Sequence, residues 1–454
     1  MGTIGQGGKR PRGTLLRVLG VGFGLAVTIG NTVGAGILRT PGEIAAQLPN
    51  AAIFLAVWLA GGAYALLGAL TVSELGAMMP RSGGYYVFAR RAFGDFPAFV
   101  FGWTDWFAQA GTISGASIVV GECAGELFPA LRGHHVAIAV ATASGIALLQ
   151  ARGIRWGAAL QNASSAAKAL LFLVLLVAFF ALTPGAAPDT SPAPRATGAS
   201  TIPLATAVVL ALQAVIYTYD GWYGIIYFGE EVREPGRDVP RSMIGGAVSI
   251  IALYLLVNLA LVHVLSLSGI AGETVAVGTA AARIFGEHGG DLVRVVAIVS
   301  MISAITAFQL MTSRIPVAMS RDGLLPASIS EINAGGTPTM GLLSSTGIAV
   351  LFILTGSFQK VTALMAFFFV SNYVMAFVTI FVLRRREPDA PRPYRAWGHP
   401  FTTGLALLVS VVFLAGAVSD DTRNSVHSLL ILASSYPVYR VLRRFGGAWS
   451  VHAR

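Results

Sequence analysis

The strongest constraint on how this chain can fold is its succession of long apolar runs. Stretches separated by charged or Gly/Pro breaks fall at about 15–38, 51–79, 96–123, 136–149, 156–182 and 203–228, then at 243–267, 292–319, 340–354, 361–383, 401–418 and 426–441. A helix crossing a bilayer needs about 20 mainly apolar residues. The pattern therefore predicts an all-α polytopic membrane protein with about 12 transmembrane helices. Composition agrees: the chain is 55% hydrophobic and 11% charged, where soluble domains carry about 25% charge. A transmembrane β-barrel is disfavoured, because its spans alternate over about ten residues. One Cys in 454 residues argues against a disulfide scaffold, and the apolar content against a disordered chain.

The formal charge of +10 would suggest nucleic acid in a soluble protein, but here its placement decides. Basic residues fall in alternate loops: Lys9, Arg10, Arg12 and Arg17; Arg81, Arg90 and Arg91; Arg152 and Arg155; Arg233, Arg237 and Arg241; Arg384, Arg385, Arg386, Arg392 and Arg395; and a C-terminal group from Arg440. This is the positive-inside pattern, which puts both termini in the cytoplasm. None of these runs is interleaved with base-stacking aromatics, so nucleic acid is not expected as a partner. The first run is too long for a signal peptide and lacks a small-residue cleavage site, so it reads as the first span. Arg outnumbers Lys 28 to 3 and Ala and Gly are abundant, which suggests a GC-rich bacterial genome and hence a bacterial cytoplasmic membrane.

No domain boundary is evident. The expected organisation is a cytoplasmic arm over 1–14, one membrane domain over 15–443 and a cytoplasmic tail over 444–454. The Pro/Ala/Ser/Thr-rich stretch from Pro184 to Pro203 reads as an external linker, and Ser268 to Gly290 as an external segment with a short helix over the mouth of the protein. Two spans are interrupted. The first carries Gly30-Asn31-Thr32-Val33-Gly34-Ala35-Gly36, and the sixth carries Tyr217-Thr218-Tyr219-Asp220-Gly221-Trp222-Tyr223-Gly224. Glycines beside Asn, Thr and Asp are poor helix formers in mid-span. Interrupted helices at matching positions of two halves point to an inverted repeat with a midplane binding site. The halves would run over about 15–182 and 203–384, with extra spans at about 401–441.

Unwound backbone in a membrane exposes N–H groups at one half-helix end and C=O groups at the other, and is tolerated only around a cavity or inside protein. The positive end suits a carboxylate and the negative end an ammonium, so paired breaks can hold an α-amino acid. Gly34, Ala35 and Gly36 would let the carboxylate approach, and carbonyls near Thr32, Tyr217 and Asp220 could take the amino group. Small residues also permit close helix packing, the preferred reading for Gly30 taken alone. Lys168 is a mid-span cation in an Ala-rich run, where a lysine is costly. It could carry a proton, act as a fixed cation, or snorkel to an interface. Glu74 and Asp105 read as partners of loop arginines, Glu122 and Glu126 as solvated, and Arg314 as lining a vestibule or pairing. His134 and His135 stand in a loop without a Cys or carboxylate cluster, so no metal site is expected.

These stretches, together with Thr40-Pro41-Gly42, Ser73-Glu74-Leu75, Pro80-Arg81-Ser82-Gly83-Gly84-Tyr85, the run from Glu230 to Arg241, Arg321-Asp322-Gly323-Leu324-Leu325-Pro326 and Arg392-Pro393-Tyr394-Arg395, carry a resemblance. In their joint order and spacing the chain resembles the amino acid–polyamine–organocation superfamily, and within it bacterial relatives of the L-type amino acid transporters. The resemblance implies a five-plus-five inverted-repeat (LeuT-like) fold with two C-terminal spans, and alternating access around a site between spans one and six. It implies backbone contacts to the substrate carboxylate from Thr32, Val33, Gly34, Ala35, Gly36 and Ile37, and to the amino group from Tyr217, Thr218, Tyr219, Asp220 and Gly221. Tyr217 matches an aromatic that closes over substrate. Lys168 matches a span-five lysine that substitutes for sodium in sodium-independent relatives, and would be the coupling residue. Asp220 stands where several eukaryotic relatives have Gly, and no Cys follows span three where a heavy subunit would attach, so no such subunit is expected.

The resulting expectation is a sodium-independent transporter of amino acids, neutral L-amino acids foremost, working by exchange or by symport with protons, without a cofactor. A cationic amino acid or polyamine permease with Asp220 as counter-ion is the rival within the class, and a non-transporting nutrient sensor the rival outside it. A membrane-embedded enzyme would need a nucleophile–base or metal constellation at membrane depth, and the sequence presents none.

Overall fold

A computed structural model describes residues 14–183, 203–355, 358–420, 430 and 432–444. Residues 184–202 of the predicted linker from Pro184 to Pro203, the arm up to residue 13 and the tail from residue 445 lie outside the described residues. The described elements are helical: α1 (Val21–Thr32), α2 (Gly36–Ala45), α3 (Ala51–Met78), α4 (Tyr85–Phe93), α5 (Asp95–Leu127), α6 (His135–Ala151), α7 (Ile154–Ala181), α8 (Leu204–Thr218), α9 (Pro235–Ile270), α10 (Ala276–Phe285), α11 (His288–Thr312), α12 (Arg314–Arg321), α13 (Thr339–Thr355), α14 (Phe358–Arg386) and α15 (Phe401–Asp420). A further helical stretch covers 432–444.

Among the described residues, α3, α7, α9, the joined α11–α12 and the 367–386 part of α14 are long and apolar enough to cross a membrane, and α1 with α2 make a further candidate bent by 46°. The chain is thus an all-helical, multi-pass membrane protein. Helices fall on the apolar runs read from the sequence, and α10 lies within the segment expected to hold a short helix, packed against α2, α9 and α11. The amphipathic α4 lies in a loop where no helix was foreseen.

The long central helix α5 carries polar residues for a simple reason. At 33 residues α5 extends ~50 Å, and it packs against α4, α6, α11, α13 and α14. Its interior faces protein rather than lipid, so Asp105, Gln109, Ser114 and Ser117 are all buried within it. The expectation that Glu74 and Asp105 both pair with loop arginines holds for Glu74 alone. Glu74 meets Arg384 at 2.6 Å and Arg392 at 3.2 Å. Asp105 instead accepts hydrogen bonds from Tyr227 at 2.8 Å and Gln109 at 3.0 Å, neutral donors brought to it by the fold.

The end of the bundle that carries residue 19 and the 432–444 helix is tied by ion pairs between distant segments. Leu19 exchanges backbone hydrogen bonds with Glu231 and Arg233, each 2.9 Å. Arg314, at the start of α12, donates to both oxygens of Glu231 (2.9 and 3.0 Å) and lies over the Phe228 ring. Both side chains are buried, so removing one leaves the other charge unpaired. Neighbouring Glu230 pairs with Arg321 at 2.8 Å on the surface, and Asp322 holds Arg81 and Arg90 at 2.7 and 2.6 Å.

The adjacent glutamates should therefore differ sharply on substitution. Glu231→Gln is expected to destabilise by roughly 3–5 kcal/mol, as for a broken buried pair, and Glu230→Gln by less than about 1 kcal/mol. Thermal unfolding of the purified variants side by side checks this, and equal losses would contradict it.

Candidate functional site

The two interruptions meet near the centre of the bundle. α1 stops at Thr32, Val33 to Ala35 are non-helical, and α2 starts at Gly36. α8 stops at Thr218, and a turn through Asp220 leads into a short 3₁₀ segment, Gly224–Tyr227. Gly221 has φ +116°, and a Cβ there would come within 2.8 Å of Thr32 Oγ1 and 2.9 Å of Thr32 N. Only glycine lets the second break approach the first so closely. Asn31 Nδ2 donates to Gly221 O at 3.0 Å, which ties the breaks together.

The carbonyls freed at the C-terminal ends of α1 and α8 are answered by side chains. The Tyr254 hydroxyl of α9 lies 2.9 Å from Thr32 O and 3.2 Å from Thr218 O, bridging the C-terminal ends of α1 and α8. Lys168 is fully buried. Its ammonium donates to Gly30 O at 3.0 Å and Val33 O at 2.5 Å, so it crosses the break on α1 rather than snorkelling. The same face of α7 adds Gln161 and Ser165, which donate to Ala26 O at 3.0 and 2.7 Å. Sequence reasoning singled out Lys168 and missed these two, although 161, 165 and 168 follow the i, i+4, i+7 spacing of one helix face.

Between the breaks lies a cavity of about 120 Å³. Thr32, Gly34, Ala35 and Gly36 line it from the first break, and Tyr217, Thr218 and Asp220 from the second. Of the other residues read from the sequence, Val33 and Ile37 are fully buried behind this wall. Tyr219 turns away to pack edge-on against Trp58 and tilted against Tyr254, and the Gly221 carbonyl is engaged by Asn31. The opposite wall was not foreseen: Gly111, Thr112 and Gly115 of α5, Met301, Ala304 and Phe308 of α11, and Phe369 of α14. Gly111 and Gly115 stand four apart on one helix face, a spacing that marks a close approach without telling a cavity from a packed neighbour.

The N-terminal end of α2 faces this cavity beside the C-terminal end of α8. Thr218 Oγ1 sits 3.0 Å from Thr40 Oγ1 of α2, and a Cβ on Gly36 would lie 3.0 Å from Thr218 Cγ2. The first N–H groups of a helix have no partner within it, and the C=O groups of α8 end nearby. A carboxylate and an ammonium on one carbon atom can therefore be met by backbone alone.

The two sides of the cavity differ. Toward the ion-paired end, Tyr85, Tyr223 and Tyr373 pack with ring centroids 5.2–6.3 Å apart, and Tyr373 stacks on Trp222 at 5.3 Å. Asp220 accepts hydrogen bonds from the hydroxyls of Tyr373 and Tyr223 in this layer. On the other side Ala35 also borders a chamber of about 620 Å³, lined by Arg39, Glu122, Cys123, Glu126, Glu273 and Arg294 among others. Glu122 is exposed there, whereas Glu126 pairs with Arg294 at 2.6 Å.

Comparison with known proteins identifies the family. A family model described as amino acid permease matches residues 23–439. The serine/threonine exchanger SteT of Bacillus subtilis is 29% identical over 441 residues, covering 95% of this chain and 98% of that protein. The b(0,+)-type amino acid transporter 1 of Mus musculus is 25% identical over 446 residues, covering 96% and 90%. Solute carrier family 7 member 13 of the same species is 26% identical over 442 residues, covering 95% and 91%. The family match spans nearly all of the described helices, both breaks and Lys168 included, and on it the chain belongs to the amino acid permeases of the amino acid–polyamine–organocation superfamily.

Proposed function

We propose that the protein moves small neutral L-amino acids across a bacterial cytoplasmic membrane by sodium-independent alternating access, as an exchanger or a proton symporter. The observation that carries this reading is the meeting of the α2 N-terminus with the α8 C-terminus across the central cavity. An apolar void of about 150 Å³ admits benzene, so 120 Å³ walled by Gly111, Gly115 and Ala116 suits a short side chain. The Ser/Thr exchanger relative supports the same size class. Lys168 places a cation on the α1 carbonyls, which supports independence from sodium.

The orientation follows the arginines: the ion-paired end is cytoplasmic, with both termini there, and the 620 Å³ chamber is external. The inverted repeat, the count of about 12 spans and one transporter domain over 15–443 complete the architecture. The sole cysteine, Cys123, lies within α5 and not in the loop after it, which supports a transporter working without a disulfide-linked heavy subunit. A cationic substrate is the second reading, and Asp220 favours it because this carboxylate reaches the cavity wall.

In proteoliposomes, serine or threonine uptake is expected to persist when choline replaces sodium, and to rise with amino acid preloading if exchange operates. Lys168→Met leaves two buried carbonyls unpaired, each worth about 1–3 kcal/mol, so flux and substrate affinity should fall at least ~tenfold. Kinetics equal to wild type would refute the role of Lys168. Asp220→Asn distinguishes the substrate readings: loss of lysine uptake with serine uptake retained supports a cationic preference, and parallel behaviour of both excludes it. Cys123 tests the orientation. A membrane-impermeant maleimide added outside intact cells should label it, more slowly with saturating substrate, and labelling only after the membrane is opened would reverse the assignment.

A further inference from the structure

A groove of about 480 Å³ runs along the outside of the bundle between the start of α1 and the first turns of α7. Its apolar sides are Val18, Leu19, Phe23, Ala158 and Ala159, and its mouth carries Arg155 and Arg233. Both arginines are exposed, and neither has a carboxylate partner among the described residues. They come from segments about 80 positions apart in the chain and share one rim, where Arg233 N bonds Leu19 O at 2.9 Å and α7 packs on α1. The floor is open where α1 has no side chains: a Cβ added at Gly20 or at Gly22 would meet no atom within 4 Å. Ala159 and Asn162 are exposed along the groove, and neighbouring Trp156 is 56% exposed, as suits an aromatic at a membrane interface.

From this arrangement we infer a binding site for one anionic phospholipid, its phosphate between Arg155 and Arg233 and an acyl chain over Gly20, Gly22, Ala158 and Ala159. Charge complementarity selects this occupant. Two guanidiniums without a carboxylate partner among the described residues, at the end of an apolar trough, match a phosphodiester joined to a hydrocarbon chain, and arginine binds phosphate oxygens in bidentate fashion. The leaflet is the cytoplasmic one under the orientation proposed above; the existence of the site does not depend on that orientation. The lipid would brace α1 against α7 where Leu19 is already tied to Glu231, the partner of buried Arg314, and so hold this end of the bundle closed.

The test is made in neutral detergent, where sidedness plays no part. Short-chain phosphatidylglycerol, short-chain phosphatidylcholine and inorganic phosphate are each titrated while thermal unfolding is followed. Two basic contacts should give phosphatidylglycerol a half-saturating concentration roughly thirtyfold below that of phosphatidylcholine. The double variant Arg155→Gln/Arg233→Gln should shrink this preference to under ~threefold. Gly22→Leu, which fills the trough and leaves both charges, should weaken both lipids. Inorganic phosphate should produce no comparable shift. A lipid preference retained in the double variant, unchanged binding in Gly22→Leu, or phosphate acting as well as phosphatidylglycerol would each overturn the assignment.

Discussion

Everything at the centre of this molecule depends on one constraint: a helix broken inside a bilayer must have its freed backbone groups answered by protein or by what the cavity holds. At the α1 break the answers are Lys168 on Gly30 O and Val33 O, and Tyr254 on Thr32 O. At the α8 break they are Tyr254 again, on Thr218 O, and Asn31 on Gly221 O. These donors come from α7, α9 and α1, so three helices hold the two breaks face to face. The N–H groups that open α2 have no partner within their own helix and face the cavity.

The same economy shapes the two ends. Toward residue 19 and α12, closure is layered: tyrosine rings below the cavity, then the buried Arg314–Glu231 pair, then the surface pairs of Glu230 and Asp322. Opening that end would separate a desolvated ion pair, a costly step, so stability concentrates there. On the opposite side lies a chamber with exposed carboxylates, which water can enter without breaking such contacts. The closed end and the hollow end give the two sides of the cavity different barriers to opening.

How much was legible in the sequence varied with the kind of interaction. Helical class and the two breaks follow from local composition, since Gly, Asn and Asp inside apolar runs act on their own backbone. Lys168 was legible because a charge at that depth is conspicuous. Asp105 was equally visible, yet its partners were not, because Tyr227 and Gln109 are neutral and only the packing of α5 beside the 3₁₀ segment brings Tyr227 to it. The α5 and α11 walls of the cavity stayed hidden for a related reason: Gly111, Ala304 and Phe308 look the same whether they pack on a neighbour or face a void.

The sequence by itself determined that the chain is a helical membrane protein, where its helices break and which residues are too polar for lipid, because these properties reside in single residues and their spacing. The tertiary structure decided which breaks meet, which carbonyls Lys168 and Tyr254 take, and that Tyr219 and Val33 stand behind the wall while Thr218 and Asp220 face the cavity. Such outcomes depend on distances between segments far apart in the chain. A spacing rule reaches only along one helix, and the site lies between several.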